Sequence, residues 1–184
     1  KMVIPREECM SKIDKLTQLD LAYIAGFIDA DGSINCQIVR RHDYRFKFQI
    51  RLTLTIFQKT TRHWVVLWFK KKIGIGTVRK RTDGISEFVL VGKSTKNLLI
   101  PLLPFLKVKR KQALLVVNII NHLSKNQDPQ SFLKLCEQVD QVAFLNDSKK
   151  RTITASVVRD AFLKDYSSFP VETETKEPRF QRSR

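Results

Sequence analysis

Leu21-Ala-Tyr-Ile-Ala-Gly-Phe-Ile-Asp-Ala-Asp-Gly-Ser-Ile34 decides how this chain is read. Leu21, Ile24 and Ile28 recur at helical spacing, so one stripe of a helix faces a core. Ala22, Ala25, Gly26 and Ala30 leave small-residue faces on which another backbone can lie close. A glycine inside a soluble helix is about 1 kcal/mol worse than alanine, and close packing is the natural compensation. The helix ends at Asp29-Ala30-Asp31-Gly32, with Gly32 placed to stop it. Two carboxylates at the negative end of a helix dipole cost stability where lysine would add it. A bound cation reverses that sign, and aspartates that simply reach water are the alternative reading.

Composition narrows the function. A chain of 184 residues with 42% hydrophobic content supports one substantial core. We expect an N-terminal extension over 1–16, one domain over 17–166 and a disordered polar, basic tail over 167–184. The formal charge of +16 points to a polyanionic partner, with nucleic acid ahead of a membrane because no long apolar span is present. Cys9, Cys36 and Cys136 lack zinc-ligand spacing and suit small core positions in a reducing compartment. The first residues lack the apolar core of a secretory signal, and Lys1 ahead of Met2 points to a trimmed terminus. Gly74-Ile75-Gly76 is no phosphate loop, and no small-molecule substrate is expected.

Along the chain, Thr17-x-x-Asp20 is a capping box opening the first helix. From Ser33 the period changes to two: Ser33, Asn35, Gln37, Val39 and Arg41 share one face, and Ile34, Cys36 and Ile38 the other. A turn at 42–44 leads to the cleanest pattern. Phe46, Phe48, Ile50, Leu52, Leu54 and Ile56 alternate with Arg45, Lys47, Gln49, Arg51, Thr53 and Thr55, a strand whose polar face carries no acid. Such a face fits groove contact better than plain solvation. Residues 58–72 read as a helix with Trp64, Leu67 and Trp68 as its core stripe. Asp83-Gly84 joins a second hairpin, with Thr77, Arg79 and Arg81 on one face, and with Phe88 and Leu90 opposite Glu87 and Val89. Helices follow over 94–103, broken by Pro101 and Pro104, over 113–123, from an Asp128-Pro129 start, and over 154–166 beyond a basic loop. The fold class is α+β, αββαββα, with a four-stranded antiparallel saddle and additional C-terminal helices. A β-ribbon fits the major groove, where Asn and Gln match adenine and Arg matches guanine.

These residues resemble a known family. Ile24-Ala-Gly-Phe-Ile-Asp-Ala-Asp-Gly32 is similar to the motif of the LAGLIDADG homing endonucleases. The segments at 57–64, 104–112 and 145–149 resemble those of the single-motif enzymes encoded by algal organellar introns. The resemblance implies that Asp31 binds a divalent metal with the Ala30 carbonyl. It implies that Gln58, Arg62 and Lys109 order the catalytic water and the scissile phosphate. For Gln58 an ordinary helix-start amide, and for Arg62 and Lys109 mere phosphate clamps, are the alternatives. Mg²⁺ is the expected cofactor, with Mn²⁺ or Ca²⁺ able to replace it for binding.

One motif copy in a chain whose relatives cut two strands implies a homodimer on double-stranded DNA. Its interface would be formed by Ala22, Tyr23, Gly26, Phe27, Asp29 and Ala30. Asp29 and Asp31, two positions apart, point about 200° apart, so Asp31 takes the chemistry and Asp29 takes helix-end or interface hydrogen bonds. Asn35, Gln37, Arg41, Gln49, Arg51, Arg79 and Arg81 are the expected base readers. Val39, Tyr44, Thr53, Thr55, Thr77, Glu87 and Val89 complete that face, with Ser148 and Lys149 beside it. A strand over 45–57 spans roughly 44 Å, or about ten base pairs per subunit and a pseudo-palindrome of about twenty. The expected reaction is site-specific hydrolysis across the minor groove leaving short 3′ overhangs, in an organelle, chloroplast before mitochondrion. An RNA-binding splicing maturase on the same fold and a nonenzymatic DNA-binding regulator are the competing readings.

Overall fold

The computed structural model describes residues 12–124, 127–146 and 151–165. The expected extension over 1–16 falls outside them except for residues 12–16, which include a 3-10 turn at Lys12–Lys15, and the tail over 167–184 lies outside them altogether.

Helix α1 (Gln18–Asp31) opens on the predicted box: Asp20 N–H donates to Thr17 Oγ1 at 3.1 Å, and Thr17 N–H donates back to Asp20 Oδ2. It runs directly into strand β1 (Gly32–Arg40). Gly32 stops the helix as expected, in an extended conformation at φ −95°. A Cβ there would lie 2.7 Å from the Ile28 backbone, so only glycine lets the chain leave the helix this abruptly.

Strand β2 (Phe48–Lys59) pairs antiparallel with β1, β4 (Ile85–Val91) pairs with β2, and β3 (Thr77–Lys80) closes the far edge. Alternation then fixes the layers. Ile34, Cys36, Ile38, Phe48, Ile50, Leu52, Leu54, Ile56, Phe88 and Leu90 face inward and are buried. Helices α2 (His63–Ile73), α3 (Lys93–Leu102), α4 (Arg110–His122), α5 (Pro129–Leu145) and α6 (Ala155–Asp165) build the rest of the core with α1. Asp128 caps α5 through the Ser131 N–H at 2.9 Å, with Pro129 at the first position as predicted.

The structure corrects three expectations. β2 begins later and ends later than the pattern at 45–57 implied, so Gln58 belongs to a strand and not to a helix start. In α2 the core stripe is Val65, Val66, Phe69 and Ile73, while Trp64 is 67% and Leu67 49% exposed. The apolar run is wider than one face, and the larger aromatics lie on the outer side. Pro101 does not break α3 but sits within its last turn, where the amide it lacks removes only one terminal bond.

Candidate nucleic-acid interface and cleavage centre

The acidic end of α1 is resolved by two different partners. Asp29 turns into its own chain, accepting the Lys107 N–H at 2.7 Å and the Lys109 N–H at 2.9 Å, with a longer bond from Val108. It thereby sits at the N-terminus of α4, where a helix dipole favours an anion. Lys109 Nζ in return donates to the Asp29 carbonyl, placing a cation at the negative end of α1. The two helix ends neutralise each other, which removes the electrostatic objection to acids at this position. The hydrogen bonds of the Asp29 carboxylate run to its own chain, to the segment leading into α4.

Asp31 points elsewhere and is exposed. Its Oδ2 accepts from Gln58 Nε2 at 2.8 Å. Gln58 is 8% exposed because it continues the inward parity of Phe48 to Ile56 at the last turn of the sheet, opposite Ser86. A buried amide without a partner is costly, so its bond to Asp31 both satisfies it and fixes the carboxylate. Arg62 ends the 3-10 turn Thr60–Arg62 at the start of α2 and is exposed. Asp31, Gln58 and Lys109 are thus joined through one turn of α1, while Arg62, four residues on from Gln58, is exposed and makes no ion pair among the described residues.

The outer sheet face carries the predicted readers in register: Asn35 across from Thr53, Gln37 from Arg51, Val39 from Gln49, and Thr55 between Ser33 and Val89, with Thr77 beyond. Three of the arginines are already paired. Arg41, just past β1, makes a two-pronged bond to Asp43 at 2.9 Å on each arm and lies over the Tyr44 ring, whose hydroxyl accepts from Gln49. Arg41 beside it holds the Asp43 carboxyl down at about 2. Arg79 bonds Glu87, and Arg81 bonds Asp83 at 2.6 Å and lies 3.8 Å from Glu87. Glu87, expected as an open face residue, is only 6% exposed beneath these two guanidinium groups. Ser148 and Lys149 lie outside the described residues.

The outward side of α1 presents Ala22, Gly26 and Ala30, while Ala25 is buried within the chain's own core. A Cβ on Gly26 would meet nothing within 4 Å, so the monomer itself has no need of a glycine there. Tyr23, 55% exposed, packs edge-on against Trp68 at 5.3 Å, and with Trp64 the two line an open cleft of about 230 Å³. Phe27 is half-buried against Phe69.

Sequence reasoning missed two residues of the segment after α5. Asn146 donates to the Ile34 carbonyl at 2.7 Å, and Arg151 reaches Asn35 at 2.8 Å. Asn146 lay in the family-like segment at 145–149 and Arg151 in a basic loop, but neither periodicity nor motif spacing gave either one a role. Burial lowers the Arg151 guanidinium pKa, and the same burial raises the Cys36 and Cys136 thiols to about 12, in keeping with their core role.

Among the described residues no three His, Cys, Asp or Glu side chains cluster as a metal cage. One exposed, hydrogen-bonded carboxylate beside helix-end carbonyls is instead the oxygen set of Mg²⁺, which takes one or two carboxylates together with water and phosphate. The donor chemistry fits that ion, which Asp31 and the Ala30 carbonyl would hold.

The sequence signature of the LAGLIDADG endonuclease family matches residues 24–113. DNA endonuclease I-CvuI of Chlorella vulgaris is 51% identical over 148 residues, spanning 80% of this chain and 92% of that protein. The chain belongs to the LAGLIDADG endonuclease family. DNA endonuclease I-CreI of Chlamydomonas reinhardtii is 47% identical over 141 residues, 76% of this chain and 86% of its own length. The crystal structure of I-CvuI in complex with its DNA target in the presence of Ca superposes with a TM-score of 0.76 at 50% identity, covering 80% of this chain and 94% of that one. I-CvuI with the I-CreI target in the presence of Mg gives the same TM-score. The archaeal intron-encoded endonuclease I-Vdi141I, at 21% identity and a TM-score of 0.70, shares the fold over 79% of this chain. No helix among the described residues is long and apolar enough to cross a membrane.

Proposed function

We propose that this chain is a site-specific, Mg²⁺-dependent DNA homing endonuclease that works as a homodimer. The observation that carries the reading is the Asp31–Gln58 bond at the end of α1, set where Lys109 holds the helix end and an open basic sheet face begins. The face lies along the major groove, with phosphate contact from the surrounding excess of lysine and arginine. Asp31 and the Ala30 carbonyl hold the metal. When bound, the ion stabilises charge on the attacking and leaving oxygens of the phosphodiester. Gln58 keeps the Asp31 carboxylate aimed and free of rotation. Lys109 and Arg62 offset the negative charge that grows on the phosphoryl oxygens.

Two strands need two carboxylates, and each chain supplies one. The surplus glycine at Gly26 and the exposed Tyr23 and Trp64, beside the half-buried Trp68, support a symmetric contact along the outer face of α1, which brings both Asp31 side chains to the two-fold axis. The product is a double-strand break with short 3′ overhangs in a long pseudo-palindrome. We place the protein in an organelle, chloroplast before mitochondrion, on the algal resemblance.

The test is incubation with a duplex carrying the I-CreI target and with a randomised duplex pool, in Mg²⁺. Cutting at one defined site per target is expected. No cutting, together with tight retention of structured intron RNA, would replace the nuclease reading by the maturase one.

A further inference from the structure

One side chain on the outer sheet face has half of its amide already committed. Asn35 faces outward on β1, across from Thr53. Arg151, in the segment before α6, donates from Nη2 to Asn35 Oδ1 at 2.8 Å and from Nη1 to the Val139 carbonyl of α5 at 3.3 Å. The second bond ties the guanidinium to a core helix, so Asn35 is held against a fixed body and not against a swinging surface side chain. Arg151 is part-buried, its Nε is sealed from solvent, and Asp140, which caps α6 through the Ala155 N–H at 2.8 Å, lies close enough to act on its charge. A guanidinium offers donors only, so the amide end that faces it must be the oxygen. Among the described residues nothing accepts from Asn35 Nδ2, and that end is left for a duplex.

We propose that Arg151 is a specificity-determining positioning residue: by holding Asn35 Oδ1 it presents Nδ2 to the major groove, so the base pair facing Asn35 is read for an acceptor. An unrestrained asparagine matches adenine with both ends at once, accepting from N6 and donating to N7. With its oxygen turned to Arg151, Asn35 favours guanine O6 or thymine O4 and disfavours cytosine, whose N4 amine is a donor. Asn35 lies roughly 13 Å along the strand from Asp31, which puts this position about four base-pair steps from the cleavage centre. The inference rests on the sheet face being the groove-binding face, and its test keeps the two separable.

The full chain is used to select bound duplexes from a randomised pool in Ca²⁺, and the preference at each position is read by sequencing for the parent, R151M, N35D, N35A and Q37A. R151M is expected to relax one position per half-site by about tenfold toward adenine, leaving the other positions in place. N35D keeps a partner for Arg151 but offers no donor, and shifts the same position toward cytosine. If R151M fails to fold, N35D is read in its place, and its shift of the same position toward cytosine carries the test. Weaker binding or a lower Tm with every position unchanged would make Arg151 a mere tether between α5 and β1 and overturn the proposal. If N35A and Q37A also leave every position unchanged, the groove-facing reading of the sheet has failed with it.

Discussion

Gln58 Nε2 donates to Asp31 Oδ2 across 2.8 Å, joining the inward face at the end of β2 to the last residue of α1. The bond lets a buried amide serve as the hinge-pin of an exposed carboxylate, and the two can be separated by substitution. Asp31→Asn keeps an acceptor for Gln58 but loses the charge, so cutting should fall by roughly a thousandfold or more while specific binding and Tm persist. Gln58→Ala leaves the charge unaimed and should lower cutting by about 10- to 100-fold. Single-turnover cleavage beside a binding titration measures both; lost binding in Asp31→Asn would make that residue structural.

Asp29 should behave in the opposite way. Its carboxylate takes the N–H groups of the segment that leads into α4, so Asp29→Ala leaves donors unsatisfied and should cost about 2 kcal/mol of stability. Urea unfolding reads the loss. An unchanged midpoint would refute this anchoring role.

Glu87 underlies Arg79 and Arg81. Glu87→Gln removes the charge that orients two exposed guanidinium groups, costing about 1 kcal/mol of stability after solvent screening. Freed arginines should raise affinity for random duplex and flatten base preference at their positions. Competition binding against random DNA reports it, and an unaltered specificity ratio would show that Glu87 does not orient them.

Trp64 is exposed in the single chain, so Trp64→Ser should alter monomer stability by no more than about 0.5 kcal/mol. As a buried aromatic of the proposed dimer it should raise the dimer dissociation constant roughly tenfold or more. Sedimentation over a concentration series decides. A parent protein that is monomeric at micromolar concentration sinks the dimer itself.

Asp20 titrates below its ordinary value, chiefly because the Lys72 ammonium is bonded to it at 2.8 Å. The folded state then holds that proton less tightly than the unfolded chain. The contribution is complete above the unfolded value, about 3.9, and disappears as pH falls through the depressed folded one. Thermal melts of the parent and Asp20→Asn should differ by a constant amount above about pH 5 and converge in acid. A gap that persists in acid would assign the effect to shape and not to charge.

Much of this arrangement was legible in one dimension because two periods were strong. The alternation from Phe46 to Ile56 fixes which face of the sheet is open, and Thr17 with Asp20 fixes where α1 begins. Gln58 was assigned to a helix because the apolar alternation ends at Ile56, although its even parity continues the inward face; a polar residue at a core parity was the available signal. The tryptophans of α2 were read as core because hydrophobicity does not tell a chain's own core from a surface left for another molecule. The pairings of Arg79 with Glu87 and of Arg151 with Asn35 depend on strand register and on a segment more than a hundred residues away, which no local pattern encodes.

The division of labour between Asp29 and Asp31 also sets the ways in which this protein can decay. On the proposed roles, an allele that loses Asp31 should stay folded and keep its hold on DNA, whereas one that loses Asp29 should loosen the start of α4 from α1. Silencing the blade and dismantling the handle are therefore separate mutational events. A lineage released from selection for cutting can pass through the first and persist as a binding protein, one nucleotide change away from its ancestor.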